Sequence, residues 1–409
     1  MQTCSDRASG TMPSGHTARI ESIDAILVDL PTIRAHKLAM TTMMRQTLCI
    51  VRLRCSDGIE GLGEATSIGG LAYGPQGPEG IKLTIDAYLA PLLAGADATN
   101  VNAAMAMAGR AVQGHSFAKS AIETALLDAQ GKRLGLPVHA LLGGAVREEL
   151  PVLWTLASGD SARDIAEAQQ LIAERRHRVF KLKIGSGDPD RNVLHVGAIK
   201  QALGPDIRIT VDVNQAWDES TATRCIARLQ DLSVDLVEQP IPRTNRMGLA
   251  RLAARFDVPI MADEAIDGPE DAFDLAREGA ADVFALKISK AGGLFATLRT
   301  AAVGDAAGIS LYGGTMLEGS IGSIASAHAF AACPQLRWGT ELFGPLLLQD
   351  DVVQARPVYR DFCLQLPHAP GLGVDLDTDK LDFYRRDRTS VAVAAAPPAA
   401  TAATETQGA

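Results

Sequence analysis

Three carboxylates recur at almost even intervals through the middle of the chain: Asp212, Glu238 and Asp263. Lys287 follows after one more such interval, and Lys181 and Lys183 precede the set in the run Phe180 to Gly185. Carboxylates gathered at one point repel, and some must hold protons unless a cation intervenes. Oxygen donors with no His or Cys cluster beside them suit Mg²⁺ or Mn²⁺ better than zinc. Three separate ion pairs to lysines are the competing arrangement. A lysine near a cation and a second lysine has its pKa lowered, which makes it usable as acid or base. The combination suits proton transfer at the carbon next to a carboxylate. The metal would steady an ene-diolate while a lysine moves the proton.

An interval of that length, roughly 25 residues, accommodates one strand, one helix and two short loops. Each ionisable residue closes or nearly closes an apolar run: Ile209 to Asn214, Leu236 to Pro240, Ile260 to Glu264 and Val283 to Ser289. In a β/α barrel such strand ends converge on one mouth. Alternation puts Lys181 and Lys183 on one face and Phe180, Leu182 and Ile184 on the other. Inward lysines demand counter-charges or a task. The rhythm starts with a strand from Val152 to Ala157 and a helix from Ser161 to Arg176. It runs on to Ile309 to Gly314 and Leu336 to Phe343, which predicts eight strands with no long helix after the last.

Ahead of this region, Ile20 to Leu30, Gln46 to Cys55 and Ile59 to Ala65 read as antiparallel strands, the last two joined by a turn at Ser56 to Gly58. Segments 31–40 and 68–80 interrupt them, and the second is dense in Gly and Pro, hence a candidate lid loop. Helical spacing follows in Glu79 to Leu93, Val101 to Arg110 and Ser116 to Leu134. The expected division is a capping domain over 19–145, a barrel over 146–350 and a segment over 351–385 returning to the cap. The tails, 1–18 and 386–409, read as disordered.

At 409 residues with a net charge of −9, the chain carries no basic footprint for nucleic acid or anionic membrane. It has no apolar run of the roughly 18 residues that a membrane span needs, and Met1 to Ala18 lacks the apolar core of a signal peptide. Six scattered cysteines without CxxC spacing read as reduced thiols in a cytoplasmic protein.

Lys181-x-Lys183, Asp212-x-Asn214, Glu238, Asp263-Glu264 and Lys287 together resemble the signature of the enolase superfamily, muconate-lactonizing subgroup. Val28 to Arg34, His36 to Met40, Pro259 to Glu264, Gly313 to Gly319 and Trp338 to Pro345 carry the likeness further, over about Ile20 to Asp382. The resemblance implies an α/β fold, a (β/α)7β barrel with an α+β capping domain. It makes Asp212, Glu238 and Asp263 the ligands of Mn²⁺ or Mg²⁺, and Lys183 the acid/base on carbon. Lys181 would tune it and Lys287 would stand on the opposite face. Glu341 matches the acidic residue at the eighth strand end, as proton donor or as a partner that orients a lysine. Ile33, His36, Ile68 and Tyr73 match the loops that shape the pocket, and Asn214, Lys290 and Phe343 are further pocket candidates. The implied substrate is a small dicarboxylate: cis,cis-muconate, interconverted with muconolactone in catechol degradation (the beta-ketoadipate pathway) by a homo-oligomer, an octamer by the same resemblance. An o-succinylbenzoate synthase or N-acylamino acid racemase would use the same scaffold. A Schiff-base aldolase with Lys287 as nucleophile is a different class, and it leaves the carboxylates unexplained.

Overall fold

The computed structural model describes residues 18–386; the expectations for 1–17 and 387–409 lie outside the described residues. Three antiparallel strands open the chain: β1 (Ile20–Lys37), β2 (Thr42–Cys55) and β3 (Glu60–Thr66), in the order β1-β2-β3. The sequence suggested that β1 stops at Leu30, but it continues through Pro31 to Lys37 with a register shift between Pro31 and His36. β1 is an edge strand, where the N–H that proline lacks removes no ladder bond from a second neighbour. Beyond the shift, His36 pairs with Met43 and Lys37 with Thr42, and Leu38 N donates to Thr41 O at 2.8 Å. The hairpin tip is thus fixed.

Helix α1 (Val101–Ala111) and the largely buried α2 (Ser116–Leu134) follow a helical run over 78–93. Helix α2 lies directly on β3, and two glycines let it approach. A Cβ on Gly61 would sit 1.9 Å from Ala125 O, and one on Gly63 would sit 2.0 Å from Ala121 O.

The chain then enters β4 (Glu149–Pro151) and a seven-stranded parallel sheet. Its strands are β5 (Trp154–Leu156), β6 (Val179–Lys183), β7 (Arg208–Asp212), β8 (Leu236–Glu238), β9 (Ile260–Ala262), β10 (Val283–Leu286) and β11 (Ser310–Gly313), paired in sequential order. Between them run α3 (Ser161–Ala173), α4 (Pro189–Leu203), α5 (Glu219–Asp231), α6 (Arg246–Arg255), α7 (Pro269–Glu278) and α8 (Leu294–Ala306). Asp160, Asp188, Asp218 and Asn245 cap four of these, each accepting a backbone N–H from the first turn. After β11 comes α9 (Ser320–Ala331), buried along its whole length.

The eighth strand expected over Leu336 to Phe343 is reduced to a single bridging residue. Thr340 pairs in parallel with both Gly313 and Val152. Its N–H reaches Pro151 O at 2.8 Å and its carbonyl accepts from Leu153 N at 2.9 Å, while Glu341 N donates to Gly313 O at 2.8 Å. Gly339, at φ +72°, turns the chain just before it and shortens the run. Past Glu341 there is one helical turn, Gly344–Leu347, and later a short helix, Thr378–Tyr384. Between these two helices it forms β12 (Tyr359–Arg360) and β13 (Cys363–Gln365); β12 pairs with β13, and β13 pairs with β4. It also touches β1: Thr32 bridges Leu348, Val28 bridges Arg385, and Arg386 forms an ion pair with Asp29 at 2.6 Å.

The close approach of α2 to β3 generates a stability prediction. Gly63→Ala forces its methyl into the Ala121 carbonyl and should cost about 1–3 kcal/mol, as overpacked sites do. A lowered midpoint in denaturant unfolding checks it. An unchanged midpoint would mean that the helix can shift away freely.

Candidate active site

The register of the parallel sheet sets the charged residues side by side. Lys183 pairs with Asp212 across β6 and β7, and Asp212 pairs with Glu238 across β7 and β8. Asp263 directly follows β9 and Lys287 directly follows β10. All of these are buried or nearly so. The ion pairs are specific. Lys183 Nζ donates to Asp212 Oδ2 at 2.5 Å, and Lys287 Nζ donates to Asp263 Oδ2 at 2.7 Å. Lys181 Nζ donates to Glu341 Oε2 at 3.0 Å and lies 2.6 Å from Glu238 Oε2, close in charge but outside hydrogen-bond geometry.

The candidates from the loops join in part. Tyr73 OH, on the Gly/Pro-rich loop, accepts from Lys287 Nζ at 3.0 Å and donates to Asp263 Oδ2 at 3.2 Å. Lys290 donates to the Asp263 carbonyl and stands 3.5 Å from Asp267 Oδ1. Asn214 Nδ2 bridges Asp212 Oδ2 at 3.1 Å and Glu264 Oε1 at 3.2 Å. His36 is buried with neither ring nitrogen hydrogen-bonded, and its ring centroid lies 6.3 Å from that of Phe343. Ile33 and Ile68 take no part in this polar lattice; Ile68 is buried and Ile33 is 50% exposed on β1.

Several partners carried no signal in the sequence. Thr155 Oγ1 donates to Glu341 Oε1 at 3.4 Å, and Lys181 Nζ lies 4.8 Å from the Tyr312 ring centroid. Gln239 Oε1 accepts from the backbone N–H of Asp263 and Ala265, which fixes the turn after β9. A Cβ on Gly314 would meet Lys287 Cε at 2.9 Å, so only glycine leaves room for that lysine. Asn214 and Gln215, at φ +46° and +67°, hold left-handed backbone at the end of β7. Apart from Asn214 and Gly314, none of these is marked by charge, period or resemblance. The Gly313-Gly314 pair was the one available cue.

The carboxylates beside the three lysines set their electrostatics. Burial works against the charge on Lys183, but Asp212 and then Glu341 outweigh it and hold the ammonium above the usual range. Lys181 is raised well above it by Glu238 and Glu341 against the same burial. Lys287 is likewise raised, chiefly by Asp263. Direct contact with carboxylates decides the sign. Burial, Lys183 and Arg34 push His36 down to about 3, so its imidazole is neutral. Burial, with Asp263 and Asp212 nearby, pushes Glu264 up to about 7.

Among the described residues no three His, Cys, Asp or Glu groups stand in preformed metal geometry; each carboxylate is drawn onto a lysine instead. Yet four buried acceptor oxygens on adjoining strand ends lack a hydrogen-bond donor: Asn214 Oδ1, Glu238 Oε2, Asp263 Oδ1 and Glu264 Oε2. Buried acceptors without donors are costly, and an all-oxygen set of this kind fits a hard divalent cation.

Family models match both parts of the chain: "Mandelate racemase / muconate lactonizing enzyme, N-terminal domain" over residues 22–143 and "Enolase C-terminal domain-like" over 163–380. The chain belongs to the mandelate racemase / muconate lactonizing enzyme family, within the enolase superfamily. Among its relatives in that family, Muconate cycloisomerase 1 of Pseudomonas putida is 62% identical over 369 residues, which is 90% of this chain and 98% of the relative. A chloromuconate cycloisomerase of Cupriavidus necator is 45% identical over 368 residues, covering 90% of this chain and 99% of its own. The crystal structure of a muconate lactonizing enzyme from Pseudomonas fluorescens, complexed with muconolactone, is 63% identical. It superposes with a TM-score of 0.90, covering 91% of this chain and 100% of that one.

The lattice predicts how the family site responds to losing an ammonium. Lys181→Met leaves Glu238 and Glu341 buried without their shared partner, and breaking such a pair costs about 3–5 kcal/mol. Glu238, which burial and then Asp212 already hold well above the usual carboxylate range, loses the ammonium that opposes them, so the folded state binds its proton more tightly and loses stability as pH rises. The penalty in denaturant unfolding of the chelated protein should therefore be larger at about pH 8 than at about pH 5. A penalty independent of pH would contradict the pairing.

Proposed function

We propose that this chain interconverts cis,cis-muconate and muconolactone, as a metal-dependent cycloisomerase in the degradation of aromatic compounds. The observation that carries the reading is the buried row of Lys183, Asp212, Glu238, Asp263 and Lys287, found in a chain this similar to muconate cycloisomerases. In the same reading the parallel sheet closes as a (β/α)7β barrel with Thr340 as the vestige of its last strand. Residues 19–145 then act as the cap over a barrel spanning 146–350, with 351–385 returning to the cap, and the chain works as a homo-oligomer.

Asp212, Glu238 and Asp263 would hold Mn²⁺ or Mg²⁺, which when bound neutralises carboxylate charge on the substrate as it develops. Toward the lactone, an oxygen of one substrate carboxylate bonds to an alkene carbon of the same molecule. The electron pair of that double bond moves to the carbon beside the other carboxylate, giving an ene-diolate. Lys183, whose Nζ donates to Asp212 at the end of β6, is the proton donor in this direction. Its Nζ delivers a proton to the carbon and regains one from solvent, which balances the dianion-to-monoanion change. Lys287, held by Asp263 and Tyr73, sets a fixed ammonium at the other end of the carboxylate row. Lys181, shared by Glu238 and Glu341, offsets one of their two negative charges at the floor of the site. The neutral, unpartnered imidazole of His36 offers the substrate one donor and one acceptor. An imine at Lys287 would first need that ammonium deprotonated, and Asp263 opposes this.

Removing a positioned proton donor lowers rate by about 10²–10⁴, whereas removing a group that only binds raises KM. Lys183→Ala should lose at least about 10² in kcat while still binding Mn²⁺. In D₂O the wild type should place one deuterium, on one face of the carbon beside the lactone ring. Normal turnover by the variant would remove Lys183 from the chemistry. Label on both faces would indicate a two-base reaction with Lys287 as the second base.

A further inference from the structure

A cavity of about 330 Å³ opens beside Lys183, between the β1–β2 hairpin tip and the loop that links β6 to α4. Four basic side chains line it, and their commitments differ. Lys183 is bound to Asp212. His195 is held by Ser161 Oγ at 2.7 Å and lies 3.3 Å from Asp164. Arg191, whose side chain is largely exposed, has its Nε 4.0 Å from Asp188, the one carboxylate on the cavity wall. Lys37 alone among the four has no hydrogen-bond or ion-pair partner among the described residues. Its placement is not loose. Lys37 pairs with Thr42 in the hairpin ladder, and its Nζ hangs over Gly159, where a Cβ would lie only 3.3 Å away. Gly159, at φ +74°, is a position that other residues rarely occupy, so the backbone that leaves room for the ammonium is itself specified.

A free ammonium at the rim of a cavity, in a chain of net charge −9, raises the local concentration of anions where the rest of the surface repels them. We infer that Lys37 is a specificity-determining residue, which receives the second carboxylate of a dicarboxylate whose first carboxylate lies at the Asp212–Glu238–Asp263 row. The inference rests on the proposed reaction and adds to it the recognition of the dianion. The carboxylate farther from the row must be held without being locked. A single exposed lysine provides that, because it attracts and orients the group while leaving its oxygens able to react.

Adipate, a saturated dicarboxylate that cannot cyclise, and its monomethyl ester separate the two ends of the ligand. Calorimetric titration of Mn²⁺-loaded wild type should show adipate binding at least about tenfold tighter than the ester, the worth of one charge-assisted hydrogen bond. Lys37→Met should weaken adipate about tenfold, leave the ester unchanged and raise KM for cis,cis-muconate more than it lowers kcat; Lys37→Arg should restore the preference. Equal weakening of both ligands, or none of either, would overturn the role of Lys37. Turnover of cis,cis-muconate by the wild type is scored separately. If it is absent while the adipate preference holds, the reaction assignment fails and the dicarboxylate subsite stands.

Discussion

Three lysines and four carboxylates buried at the ends of neighbouring parallel strands are tolerable only as a set. Any one of them alone inside the sheet would be neutralised or expelled. Lys181, Lys183 and Lys287 each face at least one carboxylate, and Lys181 is shared by Glu238 and Glu341. Parallel pairing in register makes this arrangement possible, because it brings Lys183, Asp212 and Glu238 to one level on adjacent strands. The same balance leaves a functional remainder. The lysines take up some of the carboxylate oxygens and leave others without a hydrogen-bond donor.

The N-terminal sheet and the segment after Glu341 meet the start of α9 through acids of a different kind. Glu64, at the end of β3, accepts from Gly319 N at 2.6 Å and Gly322 N at 2.9 Å, capping the start of α9. Asp351, from the returning segment, accepts from Ser320 N and Ser320 Oγ at the same helix end. Burial, with Asp351 and Glu318 nearby, pushes Glu64 up to about 8. Three separate stretches of chain therefore meet at one helix terminus, where the dipole favours negative charge. Of the residues at this junction, Glu64 lies just before the Tyr73 loop in sequence. The hairpin tip is anchored by Arg34, which donates to Thr155 O on β5 and to Glu167 on α3.

The strand rhythm and the gathering of charges could be read from the sequence because both are periodic and chemically conspicuous. Lysines and carboxylates that close Val/Ile/Leu runs at an even step require a repeated strand–helix unit to bring them together. What stayed hidden is local or uncharged. Pro31 suggested a break, and only the edge position of β1 shows why the strand passes through it. The run from Leu336 to Phe343 has strand composition, yet Gly339 leaves Thr340 as its one bridging residue. Gln239, Thr155, Tyr312 and Gly314 support the site by shape and single hydrogen bonds, which no spacing announces. The sign of the lysine shifts also depended on contacts that only the fold supplies.

The central claim is that the lysine–carboxylate row becomes a proton-transfer site when Asp212, Glu238 and Asp263 hold a hard cation. Its most direct test is the ultraviolet absorbance of cis,cis-muconate mixed with purified protein, first stripped by chelation and then resupplied with Mn²⁺ or Mg²⁺. The stripped protein should leave the absorbance unchanged, and resupply should bring steady loss of the diene with muconolactone as the product. Full activity in the stripped protein, or no consumption after resupply, would contradict the claim.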